Sequence, residues 1–185
     1  MADRTSINHP LRIDAVAAGA GHIGMTFCPG KTQAVSISGG WQRDLSIDLD
    51  AVDTWGARVL VSLMEPHEFE RVGVSLVDLP RQAAKRGIEW IHVPITDGSV
   101  PDAAFLEQWR VLAPHLRAAL ERGERVVFHC LGGLGRTGMM AACLLIETGS
   151  SPQAAMIAVR TARRGTIENR DQEEFVLRYE RVTPL

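Results

Sequence analysis

A chain of 185 residues with 45% hydrophobic residues, 23% charged residues and a net charge of −2 has the composition of one soluble globular domain. This charge balance argues against a general nucleic-acid binder and against a protein that binds an anionic membrane surface. We find no apolar run long enough to span a bilayer and no hydrophobic signal core near the N-terminus. The three cysteines are too few and too irregularly spaced for a disulfide framework or a zinc site, so we expect a cytoplasmic protein.

The first half of the chain alternates short strands with helices. Residues 1–10 are polar and predict a flexible N-terminus, so that residues 11–185 form the single domain. The predicted elements that follow are strands at 11–16 and 22–27, a helix at 43–56, a strand at 58–63, helices at 65–73 and 79–87, and a strand at 88–95.

The second half begins with the loop TDGSVPD, residues 96–102. The predicted elements after it are a helix from 102 to 123, a strand at 125–130, and helices at 136–147, 151–165 and 169–182. We expect Pro114 to kink or divide the first of these helices. The alternation predicts an α/β fold in which a mostly parallel central sheet of about five strands is flanked by helices on both faces. Ligands of such folds bind beyond the carboxyl ends of the strands.

The stretch HCLGGLGRTG, residues 129–138, stands at such a strand end and carries the strongest chemical signal. The spacing of Cys130 and Arg136 is weak evidence by itself, because it arises by chance in many chains. The residues between them are Leu131, Gly132, Gly133, Leu134 and Gly135. The glycines let the backbone curl so that successive N–H groups point into one concavity, and the following helix adds its positive end. We therefore predict that the backbone of residues 131–136 binds a phosphate-like oxyanion.

Cys130 lies at the base of this predicted cradle, where the N–H groups and the helix end stabilise a thiolate. Arg136 offers a planar fork that holds two phosphate oxygens at once. The arrangement suits attack by sulfur on phosphorus, with the developing charge stabilised by amides and an arginine. The alternative interpretation is a glycine-rich turn with a buried cysteine.

A leaving oxygen needs a proton, and Asp97 is the best candidate to supply it. Its loop follows the strand predicted at 88–95 and can reach the same edge of the sheet as Cys130. Asp102 is the competing carboxylate, although its place at a helix start favours capping. His129 can hold the cysteine by bonding the backbone, or can be a satisfied core histidine. Thr137 can donate its hydroxyl to the sulfur and ease thiolate departure, or can be a first-turn hydroxyl without a role.

These residues resemble the cysteine-dependent protein tyrosine phosphatase superfamily on its dual-specificity side, in particular the cyclin-dependent-kinase-associated phosphatase family. The likeness covers about residues 25–180. The matching stretches are CPGK (28–31), VPITDGSVPD (93–102), HCLGGLGRTGMMAACLL (129–145), SPQAA (151–155) and IENRDQEEF (167–175). The resemblance implies a protein tyrosine phosphatase-like fold and an activity that needs no metal or cofactor.

The resemblance also implies a two-step mechanism through a phosphocysteine. Cys130 takes the phosphoryl group while Asp97 protonates the leaving hydroxyl. Water then hydrolyses the intermediate, with Asp97 accepting a proton and Gln172 holding the water. Arg136 and the amides of 131–136 bind the phosphate throughout. The chain departs from the family at Glu168, which stands in place of a second glutamine and leaves the handling of the water open between the two residues.

We expect the partner to be a phosphorylated protein or peptide, with phosphotyrosine and also phosphoserine or phosphothreonine as substrates, and a monomeric enzyme. The uncharged residues 131–135 argue against a polyphosphoinositide. The late position of Tyr179, the only tyrosine, favours a shallow pocket unless another aromatic residue forms its wall. The residues considered for that wall are Phe69, Trp90 and Trp109.

A cluster of arginines and three rival activities remain open. Arg160, Arg163 and Arg164 either lie near the mouth of the site and attract acidic phosphopeptides or form a solvated helix end. A nucleotide or inositol phosphate phosphatase would use the same loop, because the loop contacts only the phosphate. A phosphate-binding module would lack the acid or the nucleophile. A sulfurtransferase or an arsenate reductase also uses a cysteine on an anion loop, and Cys28 is the one remote candidate for the resolving cysteine of a reductase.

Overall fold

The structure, a computed structural model, describes residues 3–34 and 39–182. In chain order, the strands of these residues are β1 (Arg4–Thr5), β2 (Asp14–Ala18), β3 (Gly21–Phe27), β4 (Thr32–Gln33), β5 (Trp41–Gln42), β6 (Ala57–Ser62), β7 (Glu89–His92) and β8 (Arg125–Cys130). The helices are α1 (Leu45–Thr54), α2 (Pro66–Arg71), α3 (Asp78–Lys85), α4 (Ala103–Glu121), α5 (Gly135–Glu147), α6 (Pro152–Ala162) and α7 (Arg170–Leu177).

Five of the strands form the central sheet, in the order β2-β3-β8-β6-β7. Neighbours from β3 to β7 run parallel, whereas the edge strand β2 runs antiparallel to β3. Helices α4 and α5 pack on β3 and β8, while α1 packs on β6 and α3 packs on β7. The predicted α/β fold with a mostly parallel sheet of about five strands flanked by helices is confirmed, and β2 makes the sheet mixed.

Helix α5 lies at the centre of the molecule, and all 13 of its residues are buried. From Gly138 to Ile146 it is apolar around its whole circumference, as expected for a helix that packs against sheet and helices on all sides. It contacts β3 and β8 as well as α4, α6 and α7. This packing fixes the first turn of α5 beside the carboxyl end of β8, where the predicted anion loop lies.

Residues 1–10 are predicted to be flexible, but tertiary contacts hold the described part of this segment. Strand β1 pairs with β5 in a small sheet that also contains β4. Arg43 forms a buried ion pair with Asp48 at 2.7 Å and also donates to the carbonyl oxygens of Thr5 and His9. These partners are distant in sequence, so the polarity of the segment does not reveal them, and the flexibility of residues 1–10 stays a prediction.

Three helix and strand predictions need correction. Pro114 does not divide α4, because it removes a single backbone donor while apolar residues on either side of it stay packed in the core. Strand β7 is shorter than the apolar run at 88–95, and α7 ends at Leu177 rather than at 182. In the part of the chain that the structure describes, no helix has the length and apolarity needed to cross a membrane.

Candidate active site

The loop after β8 places a buried sulfur beneath a short glycine-rich turn. Cys130 ends β8, and α5 begins five residues later at Gly135. Gly133 has a φ of 72°, and a Cβ there would lie 2.2 Å from the carbonyl oxygen of Thr26, so the loop packs against the end of β3 only with glycine here. The Gly133 N–H donates to the Cys130 Sγ at 3.3 Å. One loop amide therefore points at the sulfur.

The carbonyl oxygens of this loop are held by two cations. Lys31 Nζ donates to the Leu131 carbonyl at 3.1 Å, and Arg163 donates to the carbonyls of Gly133 at 2.6 Å and Gly132 at 3.3 Å. Because the N–H of a trans peptide points opposite to its C=O, the N–H groups of residues 132–134 point away from these cations, and the Gly133 N–H among them reaches the sulfur. Burial lowers the pKa of Lys31 to about 8, which leaves it mostly charged at neutral pH.

Arg136 is buried, with 1% of its surface exposed, and its fork is fixed by a carboxylate. Glu68 accepts hydrogen bonds from Nη1 at 2.6 Å and from Nη2 at 2.9 Å. The second hydrogen of Nη1 faces the carbonyls of Ile95 and Leu63. These contacts use neither the Nε hydrogen nor the second hydrogen of Nη2. Together these two hydrogens form the edge of the guanidinium that can bind two phosphate oxygens.

Glu68 is a site residue that the sequence pattern did not reveal. It lies in the first turn of α2, where it also accepts the Glu65 N–H at 2.8 Å in a capping box. Burial would raise the pKa of Glu68, but hydrogen bonds from Arg136 and the Glu65 backbone lower it. Burial would likewise lower the pKa of Arg136, yet the hydrogen bonds with Glu68 and the charges of Cys130, Glu68 and Asp97 raise it. Both groups are therefore charged at neutral pH.

Asp97 reaches the guanidinium from the loop after β7, as its predicted place at the same sheet edge requires. Its Oδ1 lies 2.8 Å from Arg136 Nη2, and its side chain remains 68% exposed. Asp102 instead accepts the Phe105 N–H at 2.8 Å and caps α4, which is the role that its position favours. The structure thus brings Asp97, and not Asp102, to the free edge of Arg136.

Two side chains from the segment before and inside α7 close the other side of the loop. Gln172 is 1% exposed and packs its amide against Gly135, so it lies in the interior beside the loop. Glu168 accepts the Gly135 N–H at 2.7 Å. The turn between them and α6 includes Ile167 in the left-handed region, with a φ of 59°. Such strain in a non-glycine residue is typical of functional segments.

His129 supports the loop from the core as a neutral side chain. Burial lowers its pKa to about 3. His129 Nδ1 faces the Cys130 carbonyl at 3.4 Å, and because a carbonyl can only accept, the neutral ring carries its hydrogen on Nδ1. Nε2 is then an acceptor, so the Ser62 hydroxyl, 2.5 Å away, donates to it while accepting the Trp90 indole N–H at 2.8 Å. Thr137 is buried, and its hydroxyl has no hydrogen-bond partner in residues 3–34 and 39–182, so the expected bond to the sulfur is not formed.

The aromatic residues considered for a pocket wall lie elsewhere. Phe69 and Trp109 are buried in the core, and Trp90 bonds Ser62. A cleft of about 1040 Å³ does adjoin the loop at Leu131 and Leu134, but its aromatic lining comes from Phe27 and Trp41. Within the described residues, we find no group of three or more histidine, cysteine or acidic side chains arranged to hold a metal ion.

The two remaining cysteines are buried and unpaired. Cys28 directly follows β3, whose last residue pairs with Cys130, so it lies close to the loop. Burial raises the pKa of Cys28 far above its ordinary value, and burial also raises the pKa of Cys143 in α5. A thiol held in its protonated form attacks slowly, which argues against Cys28 as a resolving cysteine.

Comparison with known proteins identifies the family to which this loop belongs. A family model described as "Polymorphic toxin system, DSP-PTPase phosphatase" matches residues 42–150. The chain belongs to this family. The match spans the stretch from β5 to the end of α5 and therefore includes Glu68, Asp97, Cys130 and Arg136. The resemblance to cysteine-dependent dual-specificity phosphatases is confirmed.

Individual relatives agree with this assignment. Cyclin-dependent kinase inhibitor 3 of Rattus norvegicus is 30% identical over 139 residues, which are 73% of this chain and 63% of that protein. Protein tyrosine phosphatase type IVA 3 of Bos taurus is 34% identical over 86 residues, 46% of this chain and 49% of that protein. The chain thus spans less than two thirds of the length of these curated relatives.

Solved structures show the same fold. A crystal structure of kinase associated phosphatase, with its catalytic-site cysteine replaced by serine, superposes with a TM-score of 0.76 at 24% identity and covers 90% of this chain and 92% of that one. The active form of Tk-PTP gives a TM-score of 0.61 at 28% identity, with 84% of this chain and 88% of that chain covered.

Replacing Glu168 by glutamine should strengthen the binding of a tetrahedral oxyanion. The Glu168 carboxylate holds the Gly135 N–H that an anion needs, and its charge repels the anion. We expect Glu168→Gln to bind inorganic phosphate and tungstate about tenfold more tightly at neutral pH, which corresponds to about 1.4 kcal/mol. Titration calorimetry measures both affinities.

Glu174→Gln is the matched control, because it removes the same charge from α7 at a side chain that pairs with Arg170 and Arg178 instead of the loop. We expect its oxyanion affinity to equal that of the unmodified protein. Unchanged or weaker oxyanion binding by Glu168→Gln would contradict this prediction, because it would mean that displacing the Glu168 carboxylate from the Gly135 N–H takes no free energy from oxyanion binding.

Proposed function

We propose that the protein is a cysteine-dependent protein phosphatase that hydrolyses phosphotyrosine, and also phosphoserine and phosphothreonine, through a phosphocysteine intermediate. The observation that carries this proposal is the meeting of three groups from separate parts of the chain. The sulfur of Cys130 faces a loop amide, Arg136 presents one free edge, and Asp97 contacts that edge at 2.8 Å. The names of the relatives, a kinase associated phosphatase and tyrosine phosphatases, support the same activity.

In the first step, the phosphate ester displaces Asp97 from Arg136 and takes the Nε and Nη2 hydrogens. The loop amides bind the remaining phosphate oxygens. The Cys130 thiolate attacks phosphorus, an S–P bond forms, and the P–O bond to the substrate breaks. Asp97, which takes up a proton from solvent once it has left Arg136, gives that proton to the leaving oxygen. Glu68 stays on the opposite edge of the guanidinium throughout and keeps the fork in its plane.

In the second step, water attacks the phosphocysteine. The S–P bond breaks, the sulfur leaves as a thiolate, and Asp97 now accepts the proton of the water. Gln172 would hold that water, and the packing of its buried amide against Gly135 at the rim of the loop supports this role. Thr137 would assist by turning its unpartnered hydroxyl toward the departing sulfur. His129 acts as a positioning residue through the Cys130 carbonyl.

The proposal includes the setting in which the enzyme works. Its substrates are phosphoproteins, and it acts as a monomer in the cytoplasm, without nucleic acid or membrane as a partner and without a metal or cofactor. The near-neutral composition supports the part of this setting that concerns nucleic acid and anionic membranes.

A substrate panel tests the activity and its class. We expect release of phosphate from phosphotyrosine and phosphothreonine peptides with a kcat/KM at least about tenfold above that for a nucleoside monophosphate or an inositol phosphate. Cys130→Ser should lose turnover by roughly a thousandfold or more yet still bind tungstate. Cys143→Ser, the same substitution inside α5, should remain active. Persistent turnover in Cys130→Ser would reject the nucleophile, and faster turnover of the small molecules would favour a small-molecule phosphatase.

The proton donor is tested by the leaving group. Asp97→Ala should slow a phosphothreonine peptide by about 100-fold or more, because an alkoxide leaves poorly without a proton. An aryl phosphate with an acidic phenol should be slowed less than about tenfold by the same substitution. Asp102→Ala serves as the control and should leave the ratio of the two rates unchanged. Equal slowing of both substrates by Asp97→Ala would place the acid elsewhere.

A further inference from the structure

The cleft of about 1040 Å³ beside the phosphate loop carries an excess of positive charge. One wall is the loop itself at Leu131, Gly132 and Leu134, and the facing wall holds the rings of Phe27 and Trp41. The charged side chains that line it are Arg12, Asp14, Lys31, Arg163 and Arg164. Four cations against one carboxylate leave a net charge of about three at neutral pH. We call this surface the basic cleft.

Two of these four cations, Lys31 and Arg163, hold the loop. Arg163 bonds two loop carbonyls and pairs with Asp14 at 2.8 Å. Lys31 donates to the Leu131 carbonyl and lies 4.3 Å from the centre of the Trp41 ring and 4.8 Å from that of Phe27. Asp14 also pairs with Arg12, so this single carboxylate is shared by two guanidinium groups.

Arg164 is different, because it is exposed and makes no ion pair or hydrogen bond within the described ranges 3–34 and 39–182. It lies between Arg163, whose guanidinium bonds the loop, and Gly165, where a Cβ would lie 4.0 Å from the Leu134 side chain, so its backbone stays beside the loop. A side chain of this length reaches a group bound next to the scissile phosphate. The arginine cluster of the sequence therefore divides in two, since Arg160 instead pairs with Glu173 and bonds the carbonyls of Thr166 and Ile167.

We propose that the basic cleft is a second anion subsite, which selects phosphopeptides with a carboxylate or a second phosphate within roughly three residues of the phosphorylated one. This inference rests on the proposed phosphatase function and names the class of substrate. Arg164 makes the direct contact, Arg12 and Lys31 add to the positive field, and the Phe27 and Trp41 rings give apolar contact to the peptide between the two anions. The protein's net charge of −2 makes this local excess of cations distinctive.

The test compares three phosphopeptides of one sequence, whose neighbouring residues are alanines, glutamates or a second phosphoserine. We expect the unmodified protein to prefer both anionic peptides to the alanine peptide by about tenfold in kcat/KM, mainly through KM, with the preference falling at high salt. Arg164→Glu should bring this ratio to about one or below. Arg170→Glu is the matched control, because Arg170 is 88% exposed on α7 outside the cleft, and it should keep the full preference.

Each outcome bears on the proposal. Preference for both anionic peptides supports a general anion subsite, and preference for the doubly phosphorylated peptide alone supports a phosphate subsite. Equal kcat/KM on all three peptides, or a full preference retained in Arg164→Glu, would overturn the proposal. Turnover of a small aryl phosphate by the unmodified protein separately reports the phosphatase activity. Its absence, together with no peptide turnover, would overturn the proposed function instead of the subsite alone.

Discussion

The buried ion pair between Arg136 and Glu68 is the constraint on which the rest of the site depends. A guanidinium with 1% of its surface exposed must find partners for its charge inside the protein, and Glu68 supplies two of them at 2.6 and 2.9 Å. Removing one member of such a pair leaves the other charge buried and uncompensated, at a cost of about 3–5 kcal/mol. The pair joins the first turn of α5 to the first turn of α2, and the Ile95 carbonyl ties both to the loop that carries Asp97. Three chain segments are thereby held around one free guanidinium edge.

The opposite face of the site is organised by the direction of its peptide groups. Lys31 and Arg163 hold three consecutive loop carbonyls, so the corresponding N–H groups point away from these cations, and that of Gly133 contacts the sulfur. The conformation that allows this turn needs glycine at 133, where the loop contacts the Thr26 carbonyl. Cations outside the loop and amides inside it therefore act together, and the same cations extend the positive potential into the basic cleft.

Two carboxylates occupy the groups that a phosphate would use. Asp97 contacts the free edge of Arg136, and Glu168 accepts the Gly135 N–H. The geometry of the donors is thus preserved by anionic side chains of the protein itself, and substrate binding becomes an exchange of one anion for another. Asp97 is suited to this exchange because its side chain is mostly exposed and its neighbour Gly98 adopts a left-handed conformation.

Features that depend on a short stretch of chain could be predicted from the sequence. The alternation of apolar runs gave the α/β fold, and the glycines between Cys130 and Arg136 gave the position of the loop. The position of Asp97 could be predicted because parallel strands end at one edge of a sheet. The role of Glu68 could not be predicted, since nothing in the sequence of α2 indicates that Glu68 pairs with a residue 68 positions away. Gln172, Phe27 and Trp41 also take their positions from tertiary packing, as do the contacts of Arg43 with Thr5 and His9.

The central claim is that the sulfur of Cys130 carries the phosphoryl group between substrate and water. Rapid mixing of the unmodified protein with a phosphotyrosine peptide, followed by denaturation within the first turnover and mass spectrometry of the digested protein, tests it most directly. We predict one phosphoryl group on the peptide that contains Cys130 and none on the peptides that contain Cys28 or Cys143. Formation of free phosphate and dephosphorylated peptide without any phosphorylated Cys130 in that time would contradict the account.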